Sequence, residues 1–169
     1  MAGKLKIRGV RPTTAKVKAA VFNIWRGAVP NCSWLDICAG TGAMGEAALR
    51  LGAMRVVGIE THASLCSLIE ANWRKVSQPD QSWQVIRGDA LQVLPRLAGT
   101  TFDLVYFDPP YHSNLYLPVL ALLSPLLHQD SGIAVEHHCD RPLPTQIANL
   151  EQYDRRRYGD TALTFYRLD

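Results

Sequence analysis

The sequence lacks the features of a membrane or secreted protein. No stretch of its 169 residues approaches the ~20 apolar positions that a membrane-spanning helix needs, and Met1–Lys4 lacks the apolar core of a secretory signal. Only four cysteines occur, Cys32, Cys38, Cys66 and Cys139, with neither the C-x-x-C spacing of a zinc site nor the density of a disulfide scaffold. We therefore expect a cytoplasmic protein with free thiols.

Internal repeats, low-complexity tracts and Gly/Ser-rich linkers are also missing. The length and the 47% hydrophobic content suffice for one domain with a substantial core, and are too small for two domains of usual size. We predict a single, monomeric domain over residues 1–169, in which a short basic arm and a helix occupy about residues 1–27.

Acidic residues are absent from the first 35 positions, which hold seven Lys or Arg, whereas the rest of the chain holds eleven Lys or Arg against fifteen Asp or Glu. A basic segment beside a near-neutral body suits nucleic-acid phosphates, because neutralising them releases counterions. A solvated terminal tail explains the charge equally well. We take Arg8, Arg11, Thr13 and Lys16 as candidate RNA contacts, although Arg11 could instead pin the arm to a carboxylate of the body.

A helix is expected at the end of the basic segment. Thr13 or Thr14 can cap it, and apolar residues recur at helical spacing from Val17 to Trp25. We expect this helix to pack on the body and to present a basic face.

The remaining sequence alternates short apolar runs with stretches long enough for helices, which is typical of a βαβ series with a parallel sheet. The Tyr-Gly-Asp turn at 158–160 predicts that the last two strands form an antiparallel hairpin at the edge of the sheet. We predict an α/β, Rossmann-like fold with a mostly parallel seven-stranded sheet, a C-terminal antiparallel hairpin and helices on both faces. The predicted strands cover residues 34–38, 56–60, 83–86, 102–107, 132–136, about 150–157 and 161–167.

A glycine-rich turn follows the first predicted strand, in the G-x-G-x-x-G order that permits close backbone approach to a ligand. The spacing alone does not separate a dinucleotide site from an S-adenosylmethionine site, and a purely structural turn is a further alternative. Asp36 favours S-adenosylmethionine, because its carboxylate can reach the cationic amino-acid part, directly or through a water, whereas it would repel a pyrophosphate. The candidate cofactor residues of this segment are Asp36, Ala39, Gly40, Thr41, Gly42 and Gly45.

Two further carboxylates end the second and third predicted strands. Glu60 is placed to accept hydrogen bonds from ribose hydroxyls. Asp89, followed by Ala90, can accept from the adenine amino group or cap a helix over residues 90–97, and the two roles are compatible. We predict that Glu60, Asp89 and Ala90 complete the cofactor site.

The segment Asp108-Pro109-Pro110-Tyr111 follows a strongly apolar strand and should lie at the carboxyl edge of the sheet, beside the cofactor. An aromatic amino group is a poor nucleophile, because its lone pair is delocalised into the ring, so acceptors for its two hydrogens assist its attack on a sulfonium methyl. We assign these acceptors to the Asp108 carboxylate and to the Pro109 carbonyl, which the two prolines hold in a fixed direction. Tyr111 should stack on a base turned out of its helix. The alternative is a proline turn with a solvated Asp108 and a core Tyr111.

No histidine is predicted to act in catalysis or metal binding. His112 adjoins the proline loop, but an amine that loses a proton after methyl transfer needs no strong base. His137 and His138 lack a matching Cys or carboxylate spacing for a metal. We therefore predict no metal.

Together these elements resemble the RsmD family of bacterial 16S ribosomal RNA guanine-N2 methyltransferases over nearly the whole chain. The resemblance rests on Arg11-Pro12-Thr13-Thr14 with its following helix, on residues 35–45, on Asp108-Pro109-Pro110-Tyr111 and on the closing segment 158–163. It implies a class I S-adenosylmethionine-dependent methyltransferase fold. It also implies methyl transfer to N2 of one guanine, with S-adenosylhomocysteine as the product and 16S RNA or a small-subunit assembly particle as the partner.

Other functions stay open at this point. An enzyme of the same fold could modify adenine N6 in DNA or glutamine in a protein, although we expect no added region for DNA recognition. A module that binds S-adenosylmethionine or RNA without turnover could serve as an assembly factor, but Asp108 and Tyr111 weigh against it. A nicotinamide-dependent oxidoreductase is disfavoured by Asp36.

Overall fold

Strands and helices alternate along residues 14–169, the part of the chain that this computed structural model describes. The strands are β1 (Ser33–Ile37), β2 (Arg55–Glu60), β3 (Ser82–Arg87), β4 (Phe102–Phe107), β5 (Leu127–His138), β6 (Gln146–Ile147), β7 (Leu150–Tyr158) and β8 (Thr161–Leu168). The helices are α1 (Ala15–Ile24), α2 (Ala43–Arg50), α3 (Ala63–Val76), α4 (Ala90–Val93) and α5 (Tyr116–Ala121), with 3-10 helices at Leu94–Leu97 and Ser124–Leu126. Arg8, Arg11 and Thr13 lie outside the described residues, so their contacts to RNA stay predictions.

The strands form one sheet in the order β3-β2-β1-β4-β5-β8-β7-β6. Those from β3 to β5 are parallel, whereas β8, β7 and β6 are antiparallel to their neighbours. The predicted α/β architecture with its C-terminal hairpin is confirmed, but the sheet has eight strands rather than seven. The additional strand, β6, has only two residues, too few to form the apolar run that reveals a strand in sequence, and it takes the place at the sheet edge that was predicted for the hairpin.

A crevice opens where the chain changes direction across the sheet. From β1 the chain continues through β2 and β3 on one side, and β4 and β5 lie on the other side. The connections that leave β1 and β4 therefore diverge at the carboxyl ends of these strands, where open α/β sheets bind ligands. The two ends stay adjacent, because the Asp108 amide donates to the Ile37 carbonyl at 3.3 Å.

Two apolar layers cover the faces of the sheet. The first joins α1, α2 and α3 to the sheet around residues such as Trp34 and Trp73. The second joins α4 and α5 to the other face around Phe107 and Tyr166. Helices thus cover both faces, as predicted, and none of the helices in residues 14–169 is long and apolar enough to cross a membrane.

Helix α1 begins at the predicted cap. The Thr14 hydroxyl accepts a hydrogen bond from the Val17 amide at 3.3 Å, and Val17 and Val21 are buried against the sheet. Lys16 is exposed, and its Nζ lies 5.8 Å from the centre of the Tyr158 ring. The predicted amphipathic helix is therefore confirmed, and its basic start lies beside β7.

Candidate active site

A cavity of about 690 Å³ opens at the carboxyl ends of β1, β2, β3 and β4. It is lined by all the predicted catalytic residues and by all the predicted cofactor residues except Gly42 and Gly45. The structure therefore brings together residues from four separate strand ends, which parallel pairing places at the same edge of the sheet. The predicted residues that line the cavity are Asp36, Ala39, Gly40, Thr41, Glu60, Asp89, Ala90, Asp108, Pro109, Pro110 and Tyr111.

The cavity is acidic. Its lining carries the carboxylates of Asp36, Glu60, Asp89, Asp108 and Glu136, and no Lys or Arg lines it among the residues that the structure describes. Such a field attracts a cation and repels a phosphate. S-adenosylmethionine, which carries a sulfonium and an ammonium, suits these residues, whereas the pyrophosphate of a nicotinamide dinucleotide does not.

Asp36 lies at the end of β1, where it joins the sheet to helix α2. Its Oδ2 accepts a hydrogen bond from the Gly45 amide at 3.0 Å, and only 2% of the residue is exposed. Burial raises the pKa of the Asp36 carboxyl to about 7; the Gly45 hydrogen bond opposes this rise, and the charge of Glu60 adds to it. This carboxyl therefore titrates near neutral pH, and a cation beside it would favour its ionised form.

Gly42 and Gly45 contact the Trp73 indole of α3 rather than the cavity. A Cβ on Gly45 would lie 2.2 Å from Trp73 Cζ2, and Trp73 Nε1 donates to the Gly42 carbonyl at 2.9 Å. Gly42 also has a φ of 76°, in the left-handed region that glycine adopts without strain. Neither glycine lines the cavity, so their assignment as cofactor residues stays a prediction, and the observed contacts show that both let α2 pack closely on α3.

Glu60 is held by the backbone that surrounds it. Its Oε2 accepts from the Gly40 amide at 2.9 Å, and its Oε1 accepts from the Thr61 amide at 2.8 Å and the His62 amide at 3.0 Å. Burial raises the pKa of the Glu60 carboxyl, but the hydrogen bonds from His62, Gly40 and Thr61 outweigh that effect and lower it. Glu60 is therefore ionised. The Thr61 hydroxyl at 3.2 Å and His62 Nδ1 at 2.9 Å also contact Oε1, so the capacity for a ribose hydroxyl is on Oε2.

Asp89 caps helix α4, as one of its two predicted roles requires. Its Oδ1 accepts from the Leu91 amide at 2.8 Å, and the residue also lines the cavity. The hydrogen bond to the adenine amino group stays a prediction. The helix predicted over residues 90–97 is α4 followed by a 3-10 turn, because Pro95 lacks the amide that would continue α4.

The proline loop is held rigidly at the mouth of the cavity. The Ser113 amide donates to the Pro110 carbonyl at 2.8 Å, and Arg141 Nη1 donates to the carbonyls of Tyr111 at 3.1 Å and Ser113 at 3.0 Å. Arg141 was not predicted from the sequence, because it lies 30 positions from Tyr111 in a loop without a motif.

Tyr111 is anchored through its hydroxyl. That group lies 2.7 Å from Thr161 Oγ1 and donates to Glu136 Oε1 at 3.4 Å, while Tyr106 donates to Glu136 Oε2 at 2.5 Å. Tyr111 is half-buried and lines the cavity, so it is not the core residue of the alternative interpretation. Glu136 is 3% exposed and was not predicted as a site residue. The one feature of the sequence that could have indicated it is a carboxylate at the end of an apolar strand.

His112, His137 and His138 lie in different environments. His112 is exposed and lines it, whereas His137 is buried with its Nε2 2.7 Å from Thr164 Oγ1, and burial lowers the pKa of His137. The prediction that His138 lacks a matching Cys or carboxylate for a metal is wrong in its spacing argument, because ligand atoms of His138, Cys139 and Asp140 lie within 4.8 Å of one another. Asp140 is exposed, and we assign no ion to this group.

Comparisons with known proteins identify relatives along nearly the whole chain. The family model described as Conserved hypothetical protein 95 matches residues 3–167. The ribosomal RNA small subunit methyltransferase D of Haemophilus influenzae is 29% identical over 167 residues, which cover 97% of this chain and 84% of that protein. The protein of the same name from Escherichia coli strain K12 is 28% identical over 163 residues, with 95% and 81% covered.

Solved structures share the fold. The yhhF protein of Escherichia coli superposes with a TM-score of 0.83 at 26% identity, and the match covers 95% of this chain and 90% of that one. The predicted class I methyltransferase fold is confirmed. The chain belongs to the Conserved hypothetical protein 95 family, which is the RsmD family that its motifs resemble.

Proposed function

We propose that this protein transfers the methyl group of S-adenosylmethionine to the exocyclic N2 of a guanine in 16S ribosomal RNA, with S-adenosylhomocysteine as the product. The observation that carries the proposal is the meeting of the proline loop after β4 and the glycine loop after β1 in one acidic cavity. The names of the relatives support ribosomal RNA as the substrate. We further propose a single monomeric domain that acts in the cytoplasm on a small-subunit assembly particle.

S-adenosylmethionine, when bound, supplies an electrophilic methyl group on a positively charged sulfur. Asp36 is the group that would hold its ammonium, because it is a buried carboxylate at the end of β1. Glu60 would accept from a ribose hydroxyl through Oε2, which has one backbone partner, and Asp89 would accept from the adenine amino group. Burial of Asp36 and Glu60 keeps these contacts out of bulk water, where they would be weaker.

Asp108 and the Pro109 carbonyl orient the amino group that is methylated. Both residues line the cavity. Arg141 holds the loop that carries them, because it donates to the carbonyls of Tyr111 and Ser113. Each acceptor takes one amino hydrogen, which directs the nitrogen lone pair away from the ring and offsets the positive charge that grows on nitrogen. Because these contacts already hold the loop, its two acceptors need little reorientation during the reaction.

The two carboxylates on this side of the cavity favour guanine over adenine. Guanine presents hydrogen-bond donors at N1 and N2, whereas adenine presents a donor at N6 beside an acceptor at N1. Glu136 is buried and lines the cavity together with Asp108, so two carboxylates lie on the side of the cavity that we expect the base to enter. The N1 of adenine is an acceptor, and so is a buried carboxylate. If the two faced each other they would share no proton, and this contact would be unfavourable.

The product nucleoside tests this function directly. Purified protein is incubated with labelled S-adenosylmethionine and with 16S RNA, unmethylated small-subunit particles or duplex DNA, and the modified nucleoside is identified by mass spectrometry. We expect N2-methylguanosine from the RNA or the particle and no product from DNA. N6-methyladenine, or no transfer by a protein that binds S-adenosylmethionine, would contradict the guanine assignment.

Cofactor affinity should depend on the ionisation of Asp36. Because burial raises its pKa to about 7, a falling pH protonates the carboxyl in the free protein and removes the charge that the ammonium requires. We expect the affinity for S-adenosylmethionine, measured by calorimetry, to level off above that pH and to fall about tenfold per pH unit below it. Asp36→Asn keeps an acceptor for Gly45 and should bind weakly without this pH dependence; an unchanged profile in that variant would assign the titration to another group.

A further inference from the structure

Three exposed cations from separate parts of the chain are linked to Tyr111, one directly and two through intermediate residues. Arg141, in the loop between β5 and β6, is the first. Its Nη1 donates to the Tyr111 carbonyl at 3.1 Å, and its guanidinium carbon lies 5.4 Å from the centre of the Tyr116 ring. These contacts occupy one nitrogen and one face of the guanidinium, so other donors point to solvent from an exposed residue.

Arg155 on β7 reaches the same place from the C-terminal hairpin. Its Nη2 donates to the Cys139 carbonyl at 2.9 Å. Cys139 follows His138, whose ring meets the Tyr111 ring edge-on with a centroid distance of 5.7 Å. Cys139 and His138 therefore connect Arg155 to the Tyr111 ring, which we expect to stack on the base.

Lys16 approaches from helix α1. Its Nζ lies 5.8 Å from the centre of the Tyr158 ring, and Tyr158 pairs across the hairpin with Thr161. The Thr161 hydroxyl lies 2.7 Å from that of Tyr111. The start of α1 and the turn of the hairpin therefore lie on the same side of the cavity.

The charges of these three residues are not neutralised within the described part of the chain. No carboxylate lies within 4.0 Å of Lys16, Arg141 or Arg155, whereas Arg156 pairs with Asp154 at 2.9 Å and Arg167 pairs with Glu151 at 3.6 Å. An exposed cation without an acidic partner keeps its charge for an external anion.

The signs of charge divide this edge of the protein into two zones. The cavity carries five carboxylates and no Lys or Arg among its described lining residues, so a phosphate is repelled from it. The three cations do not line the cavity and are linked to its residue Tyr111 from outside. A nucleotide whose base enters the cavity leaves its phosphates outside, where these cations are placed.

We propose that Lys16, Arg141 and Arg155 form a phosphate-binding rim that holds the RNA backbone while the target base enters the cavity. The rim rests on the proposed function, because it takes the substrate to be RNA. It extends the candidate RNA contacts from the N-terminal arm to the loop after β5 and to the C-terminal hairpin. Contacts of this kind supply affinity that is independent of sequence and sensitive to salt.

The rim is tested with the double variant Lys16→Gln/Arg155→Gln. Glutamine removes each charge and keeps a polar side chain at each position. The matched control is Arg74→Gln/Lys75→Gln, which removes the same charge from exposed residues in the last turn of α3, at the opposite end of that helix from the cavity residue His62. Arg141 is left unchanged because it also holds the proline loop.

Binding of a 16S RNA fragment is measured by fluorescence anisotropy over a range of salt concentrations, and S-adenosylmethionine binding by calorimetry. We expect the rim variant to bind RNA about tenfold or more weakly at low salt, to lower the slope of log affinity against log salt by about one to two, and to raise the KM for RNA. The control should differ little from wild type, and both variants should bind S-adenosylmethionine as wild type does.

RNA affinity and a salt slope equal to those of the control would overturn the rim and leave the proposed function intact. Failure of the wild-type protein to bind or methylate RNA, although it binds S-adenosylmethionine, would instead reject the proposed function and the rim with it. If the glutamine variant unfolds, Arg155→Lys with Lys16→Gln retains one charge and should show about half the loss in salt slope.

Discussion

Replacing Asp108 with alanine should lower the rate of methyl transfer by about 100- to 1000-fold while S-adenosylmethionine still binds. Asp108 lines the cavity directly after β4, and its amide is tied to β1 through the Ile37 carbonyl. Its carboxylate therefore starts from a fixed backbone position. Loss of this acceptor leaves one hydrogen of the target amino group without a partner and removes a negative charge that offsets the charge growing on nitrogen.

His112→Ala is the matched control for this experiment, because His112 lies in the same loop, lines the same cavity and is exposed. A methylated amine gives up its proton readily, so we expect its rate to stay within about threefold of wild type. Single-turnover rates with saturating RNA separate the chemical step from binding. Full activity in Asp108→Ala would reject the catalytic role of the carboxylate, and an equal loss in His112→Ala would show that the loss is not specific to Asp108.

Replacing Gly45 with alanine should destabilise the protein by about 3 kcal/mol, the upper part of the usual range for overpacking a core. The added Cβ would lie 2.2 Å from Trp73 Cζ2, and this indole is fully buried. The ring has little room to retreat, since a Cβ built on Gly58 would lie 2.7 Å from its Cη2 and its Nε1 is bonded to the Gly42 carbonyl. Glycine at position 45 therefore serves the packing of two helices.

Urea unfolding of Gly45→Ala and Gly27→Ala measures this effect, because no heavy atom lies within 4 Å of a Cβ built at Gly27. We expect the control to change the free energy of unfolding by no more than about 0.5 kcal/mol. Gly45→Ala should cost less in a Trp73→Leu background than in wild type, because the smaller side chain frees the space that the methyl group needs. Equal stabilities of Gly45→Ala and Gly27→Ala would refute the packing role.

The loop chemistry of this protein was predictable because it depends on short stretches of chain. Thr14 and Asp89 cap helices through hydrogen bonds to amides three and two residues away, so their residue types and positions suffice to predict them. The alternation of apolar runs and helical stretches predicted the parallel sheet. Parallel pairing in turn places strand ends at one edge, and this is why residues 36, 60, 89 and 108 could be predicted to share a site.

The outline of the C-terminal half was less accurate. Strand β5 begins at Leu127, five positions before the predicted apolar run, and contains polar residues such as Gln129 and Asp130. Pairing with β4 resumes only after a register shift between Phe102 and Leu104. Hydrogen bonds to a neighbouring strand can hold polar residues in extended conformation, and hydrophobic patterning carries no sign of this.

By itself, the sequence determined the class of fold, the order of the two functional loops and the acidic residues at the strand ends, since each depends on local spacing or on the general rule of parallel sheets. Only the tertiary structure decided that Gly42 and Gly45 face Trp73, that Glu136 holds two tyrosines, and that Arg141 holds the Tyr111 carbonyl. These contacts join residues far apart in the chain. Their geometry depends on strand register and helix packing. Hydrophobic periodicity predicts which face of a strand or helix is buried, but not which residue it contacts.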